Sequence, residues 1–474
     1  MTFALVAAMA LAGCTKEYTI TVQSNNLDWG TVTGSGTYAD GSTVQISAIP
    51  ASGYYFISWQ DGDRSNPRTI TVTGNATYIA TFSNDPNGGG GEGGDGDPLT
   101  MSGTISNNVT WVDRGLTVDY IIDGELLIDG NALLTIDPGV TIMFTGVGGG
   151  IYVGENAGLR MVGTSDKPII LQGPTNNPNN GSWNHVYVTS MRNDNQFEYV
   201  QFLRGGSGNV IWEGVIGVSG RLSMKHCTID GSLCGGVVCD NEGYLTAFEN
   251  NVVKNCAKYP MYYSVVSYAC KGLGSGNNFS NNAMGNVVFV YDSYFGMTEN
   301  LTLANIGFPY RLNNGMSIGG TNTFTIEAGT VIEMAQNTDI YTNEAAFVAN
   351  GTASNPIIFR SAENGENWNG IKLFSSKSAN SMSYCQIKNC GTADEYGSRQ
   401  CLYINYDTKM TLTNNTFGPS AYYGVVIDGM DNFGNITHSG NTFQNCAAGN
   451  VLIEGGGEYG GTEYEDGQVL NDLP

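Results

Sequence analysis

The sequence predicts an all-β protein: a long, internally duplicated parallel β-helix behind a small separate β domain. Three observations predict it. No stretch carries a long 3.6-residue apolar period, whereas short runs that alternate apolar and polar residues are frequent and end at Gly, Asn or Asp. The chain repeats itself: "LTIDPGVTIMF" (134–144) returns as "FTIEAGTVIEM" (324–334), 190 residues later (324 − 134). Asn recurs at turn-like positions before apolar residues, at Asn250–Asn251, Asn281–Asn282, Asn414–Asn415 and Asn441. There, stacked side chains can bond from coil to coil and the backbone can turn left-handed.

Composition bounds the function. The 474 residues suffice for two or three domains with real cores. Lys and Arg total 20 against 43 Asp and Glu, a net charge of −23, which argues against nucleic acid because phosphates need a basic surface. An apolar share of 41% argues against disorder, and 66 Gly can supply tight corners.

The first element is "FALVAAMALAGC" (3–14), a short apolar run ending in small residues and Cys. Through Leu11, Ala12, Gly13 and Cys14 it resembles the lipobox of bacterial lipoproteins. The resemblance implies that 1–16 hold the signal peptide and anchor, with a lipid on Cys14. The protein would then be an outer-membrane lipoprotein, exposed at the surface of the cell envelope, with the membrane as a partner. The alternative is an ordinary signal peptide with an incidental Cys, and no Lys or Arg precedes the apolar run. No other segment has about 18 consecutive apolar residues, so no transmembrane helix is expected.

Residues 17–83 alternate in "YTITV", "STVQISAIP", "YYFISWQDG" and "ATYIATF", separated by Gly, Asn and Asp turns. Gly34, Gly36, Tyr38, Gly41, Val44, Ala48, Pro50, Gly53, Tyr54, Phe56, Trp59, Asp61, Gly62, Tyr78, Ala80 and Phe82 resemble the divergent B-repeat of internalin-type surface proteins. That resemblance implies a compact β-grasp-like spacer or adhesive domain without catalysis, with Trp59 as core anchor rather than ligand platform. Residues 84–100, "NDPNGGGGEGGDGDPLT", read as a Gly/Asp-rich linker spanning about 20–25 Å as a coil.

From 101 on the repeat continues. "GTSDKPII" (163–170) returns as "GTASNPII" (351–358), "WNHVYV" (183–188) as "WNGIKL" (368–373), and "NVVKNCA" (251–257) as "NTFQNCA" (441–447). One unit occupies 101–300 and a second, with an acidic tail, 301–474. At roughly 25 residues per coil this gives about 15 coils in one continuous rod of about 70 Å, with two side-by-side barrels as the alternative. The opening 134–144 and the Gly163-Thr164…Pro168-Ile169 segment resemble right-handed parallel β-helix proteins of bacterial surfaces. The acidic tail, "EGGGEYGGTEYEDG", reads as a solvated end.

Such β-helices host polysaccharide lyases and hydrolases as well as binding proteins, and fold alone does not choose. Gly-Asp-Asp and Gly-His-Gly patterns are missing, and only His185, His226 and His438 occur. Comparing the copies singles out Lys225, His226, Asp230 and Lys254, which face Thr413, Asn414, Gly418 and Gln444 in the second copy, while Asp240 matches Asp428. With Asp240, these are the catalytic candidates, set against solvated surface charge. A ligand-binding candidate is the aromatic cluster Tyr259, Tyr262, Tyr263, Tyr268, Tyr291 and Tyr294, whose rings could stack on sugars or form ladders between coils. Trp183 and Trp368 recur at matching places, which points to structure.

Asp119, Asp123, Asp129 and Asp137 leave room for a weak Ca²⁺ site but do not match an EF-hand loop. Nine Cys follow Cys14, an odd number without a CxxC pair, so buried free thiols are expected over zinc or disulfides. The functional expectation is a surface glycan-binding or adhesive protein, a monomer, whose partner is a polysaccharide or a glycan of a neighbouring cell. A lyase or glycosidase and a structural envelope component are the alternatives.

Overall fold

The computed structural model describes residues 16–83, 97–292, 294–363, 366–392, 399–431 and 433–474. Cys14 and most of the expected linker lie outside the described residues. The chain forms two compact units, whose main parts precede and follow Thr100. No helix among the described residues is long and apolar enough to cross a membrane.

In the first unit, Glu17–Ser24 pairs antiparallel with Gly36–Ala39 and parallel with Ala76–Ser83, which in turn pairs with Tyr55–Trp59. A second, antiparallel sheet joins Gly30–Thr33, Thr43–Pro50 and Arg68–Thr71. Alternation turns Ile20 and Val22 of one sheet and Val44, Ile46 and Ala48 of the other into a shared core around Trp59 and Phe82. Trp59 is 0% exposed and its Nε1 donates to the Ser65 carbonyl at 2.9 Å, so it anchors the core and offers no face to a ligand. Gly30 is required by approach: a Cβ there would meet the Phe82 ring at 2.5 Å.

The second unit is a parallel β-solenoid of about 13 turns. In the first copy most coils supply three strands in chain order; after Met261–Val265 the short helix Val266–Ala269 takes the place of the wall-one strand. Wall one includes Gly158–Val162, Gln196–Glu198, Arg221–Lys225 and Tyr244–Glu249. Wall two includes Thr141–Phe144, Ile169–Gln172, Val200–Gly205, Thr228–Ser232 and Val252–Cys256. Wall three includes Gly150–Val153, Val186–Val188, Gly214–Val218, Gly235–Cys239 and Met261–Val265. Inward positions stack in columns; Ile142, Leu171, Phe202, Ile229 and Val253 lie in register and all are fully buried. Each such side chain contributes about 1.5–3 kcal/mol by leaving water.

The coils are fewer than about 15 because several are long: Val186 pairs with Ile151, a coil of 35 residues (151 to 186).

The corner between walls one and two is built on asparagine. Asn251 is fully buried; its Oδ1 accepts from the Cys227 N–H at 2.9 Å, and its Nδ2 donates to the Met224 carbonyl at 3.0 Å. Asn415 repeats this in the second copy, with Cys385 N–H at 2.9 Å and Met382 carbonyl at 2.9 Å. Just before them, Asn250 and Asn414 both have φ of 57°, the left-handed geometry asparagine tolerates. The Trp183 and Trp368 indoles are likewise fully buried and donate to the Leu203 and Lys388 carbonyls at 2.9 and 2.8 Å.

The coils run through the duplication without a break, but the copies are not in phase. Val288–Asp292 belongs to wall three of the first copy, since Val288 pairs with Met261. Its next partner is Tyr310–Leu312, through Val288 and Tyr310, and that strand pairs onward with Val331–Met334. Val331–Met334 is the repeat of Thr141–Phe144, a wall-two strand. Wall three of the first copy is therefore continued by wall two of the second. The second copy is rotated by one wall, and faces that match in sequence look out on different sides.

The tail is solvated as expected, with most of residues 457–467 exposed, but it is ordered. Val469–Leu470 pairs antiparallel with Gly449–Glu454 along wall three, and Gly457–Tyr459 forms a hairpin with Thr462–Tyr464. The unpaired edge of a last coil favours such a cover.

The cysteines correct one expectation and match the other. Cys390 and Cys401 form a disulfide, with Cα atoms 5.1 Å apart. The other seven described cysteines are free, five of them buried. Burial pushes the Cys227 and Cys256 thiols up to about 12.

Candidate functional site

The five catalytic candidates do not come together at one place. Lys225 lies on wall one, where the parallel register sets it beside Glu249, with Nζ to Oε2 at 3.3 Å. Asp230 and Lys254 are register partners on wall two, paired at 3.1 Å, and Asp230 also accepts from the Asn255 amide at 2.7 Å. Asp240 follows wall three. His226 is a corner residue with φ of 53°, stacked on Tyr199 at 4.7 Å, in the corner column continued by Asn250. Proximity in sequence is lost because each coil distributes neighbours over three walls. The charged pairs are half-exposed neighbours between coils, worth little individually.

The tyrosine cluster is also corrected. Tyr259, Tyr262 and Tyr263 are buried, Tyr259 against Phe289 at 4.3 Å and Tyr262 against the same ring at 5.8 Å. They are ladders between coils and have no free faces. Tyr268 is half-buried against Tyr244, Tyr291 is exposed, and the Tyr294 side chain lies outside the described ones. The expected Ca²⁺ ligands do not gather: Asp119 accepts from the Arg114 N–H at 2.9 Å and Asp123 from the Thr145 hydroxyl at 2.8 Å. Among the described residues no three His, Cys, Asp or Glu are placed to hold a metal.

The better site is on wall three of the second copy. Its strands Met316–Gly320, Ile340–Asn343, Ile371–Phe374 and Gln400–Ile404 set Ser317, Tyr341, Lys372 and Tyr403 in one outward column. Phe374 projects two residues beyond Lys372, between the rings of Tyr341 and Tyr403, with centroids 5.0 and 5.6 Å away. An open groove of about 480 Å³ follows this column, and Asp339, Gln400 and Glu454 also line it.

Its polar groups are in unlike states. Lys372 Nζ sits 3.0 Å from Asp339 Oδ2. The Tyr403 hydroxyl donates to Asp428 Oδ2 at 3.0 Å; burial, then Asp428, push the phenol above its usual range. Asp428 is the register partner of Glu454, whose carboxyl is raised by burial and then by Asp428. Gln400 is 1% exposed, and among the described residues neither its Nε2 nor its Oε1 has a hydrogen-bond partner. A buried unpaired carboxamide costs about 1–3 kcal/mol per group.

Sequence reasoning missed this groove. Asp428 was visible only as the match of Asp240. Asp339 closes the tripeptide Asn337-Thr338-Asp339. Here it builds a turn: Asn337 has φ of 58° and the Thr338 hydroxyl donates to the Ala335 carbonyl at 2.7 Å. Asp339 lies three coils below Asp428, about 14 Å at ~4.8 Å per coil. That exceeds the roughly 5–10 Å of a glycosidase carboxyl pair.

Residues 18–86 match the family model of the divergent InlB B-repeat domain. Residues 103–202 and 296–425, a stretch in each copy, match that of the pectate-lyase-like beta helix domain. No curated protein and no solved structure matches the chain significantly. Sheet order, stacked coils and family matches agree: the chain carries a divergent InlB B-repeat domain followed by a pectate-lyase-like β-helix domain.

Proposed function

We propose that this protein binds neutral carbohydrate along the groove of Tyr341, Phe374 and Tyr403, at the cell surface, held to the outer membrane by a lipid on Cys14. The observation that carries the reading is the row of Tyr341, Phe374 and Tyr403 rings, beside carboxylates, in one open groove. Sugars offer apolar C–H faces to rings and dense hydroxyls to amides and carboxylates. The charge selects among sugars. Asp339 and Glu454 line the groove with Lys372, Asp428 stands behind Tyr403, and the chain carries −23, so a polyuronate would be repelled. The solenoid serves as display, and binding a neighbouring cell's glycans would make it adhesive.

Cleavage is the second reading, favoured by one observation: Asp428 and Glu454 are carboxylates on adjacent coils in different environments. One experiment separates the two. The full chain is run through gels containing galactomannan, xyloglucan, mixed-linkage β-glucan or polygalacturonate, and the same polysaccharides are assayed for reducing ends and unsaturated products. Retardation by a neutral polymer, weakened in Phe374→Ala and Tyr403→Ala, with no product, is expected. Product formation that disappears in Glu454→Gln would replace binding by hydrolysis or elimination. Retention by polygalacturonate alone would refute the charge argument. Anchoring is checked by fractionation: Cys14→Ala should leave the membrane fraction.

A further inference from the structure

The first copy carries its own version of the groove. The sequence match aligns Tyr187 with Lys372 and Asp240 with Asp428. The same outward column of wall three holds Tyr152, Tyr187, Gly217 and Val238 in register. Tyr152 and Tyr187 stack at 5.6 Å. The Tyr187 hydroxyl donates to Asp240 at 3.0 and 3.1 Å to the two oxygens. To reach it the ring lies across Gly217, where a Cβ would meet it at 2.2 Å. In the second copy Tyr403, one coil above Lys372, makes the equivalent bond to Asp428. Both copies thus keep a tyrosine clasped to the same aspartate, using rings from different coils.

An independent feature marks this place. Trp212, 57% exposed, stands at the mouth of a cavity of about 140 Å³ that Asn184, His185, Tyr187 and Glu213 also line. Its loop is fixed: Glu213 Oε2 accepts from the Asn209 N–H at 2.8 Å, and the Ser207 hydroxyl reaches Val147 O at 3.0 Å and Asn184 Oδ1 at 3.1 Å. Burial lowers the His185 pKa, so the imidazole is neutral at pH 7. An exposed indole on a held loop, above a cavity with a tyrosine, a carboxylate and an amide, suits a sugar ring.

We infer that the protein has a second carbohydrate-binding groove, at Trp212 and Tyr187, and that the one-wall rotation between copies turns the two grooves to different sides, so that one molecule cross-links two glycan chains. This rests on the carbohydrate reading of the second-copy groove and takes the same class of neutral glycan.

The test uses the full chain and whichever of galactomannan, xyloglucan or mixed-linkage β-glucan retards it. Calorimetry with oligosaccharides of that polymer counts sites, and turbidity with the intact polymer reports cross-linking. The wild type should show two sites and turbidity. Trp212→Ala, an exposed change, and Tyr187→Phe should each leave one site and no turbidity, with retention weaker by about a hundredfold through lost avidity. Tyr403→Ala should do the same from the other side. If Tyr403→Ala alone removes all binding and Trp212→Ala changes neither count nor turbidity, the second groove is wrong while the first reading stands. No retention by any neutral polymer overturns both.

Discussion

Asn415→Ala tests the physical basis of the solenoid. Asn415 is fully buried and its amide makes three side-chain hydrogen bonds: from Cys385 N–H at 2.9 Å, to Met382 O at 2.9 Å and to Asn441 Oδ1 at 3.0 Å. Alanine removes all three and leaves the Cys385 N–H buried without a partner. An orphaned buried donor costs about 1–3 kcal/mol, and each lost neutral bond adds about 0.5–1.5. Smaller side-chain entropy loss offsets part, so the expected loss is about 3 kcal/mol. Coils open locally, so the readout is hydrogen exchange at the Cys385 amide. It should accelerate roughly a hundredfold, at about 1.36 kcal/mol per decade. Asn251→Ala should match it at Cys227, whereas Asn314→Ala, at an exposed turn, should change little. Acceleration below about fivefold would mean that backbone ladders alone hold the corner, and the argument would fail.

Other outcomes follow from named contacts. Glu333 is buried between Arg311 and Arg360, with 2.7 Å contacts to both; Glu333→Ala should cost about 3 kcal/mol in urea titrations, because two guanidinium groups lose their partner. Gly30→Ala should destabilise the B-repeat domain by about 1–3 kcal/mol through the Phe82 clash, seen as faster exchange in Ala76–Ser83. The raised Glu454 carboxyl holds its proton in the folded state where the unfolded chain has lost it. Its contribution to stability therefore falls as pH rises from the usual carboxylate range through the folded value. Glu454→Gln should equal the wild type at pH 4 and exceed it at pH 7.5 in denaturation midpoint. Native Cys227, Cys256 and Cys385 should resist thiol reagents at pH 8 and react only after unfolding.

What the sequence showed clearly was periodic. Alternation identified strands, and the recurring asparagines identified corners that the structure places at Asn251 and Asn415. Trp59 was legible as core because an apolar strand carried it between turns. The sites were not legible, because coil length varies and decides which wall a residue joins. Lys225 and Asp230 are five positions apart (225 and 230) yet face different walls. Gln400 and Trp212 carry no motif; burial without a partner marks one, and exposure above a cavity marks the other. The rotation between copies is a property of the junction's pairing, Val288 with Tyr310, and no comparison of the two copies contains it.

The reversed strand Val469–Leu470 also sets how this architecture can change in length. In a parallel solenoid every finished coil is a template for one more, so tandem duplication can extend it at any joint. A strand running the opposite way cannot seat a parallel successor. Along wall three the parallel stacking thus stops at Gly449–Glu454, and a coil added to the same stack would have to enter upstream of Gly449.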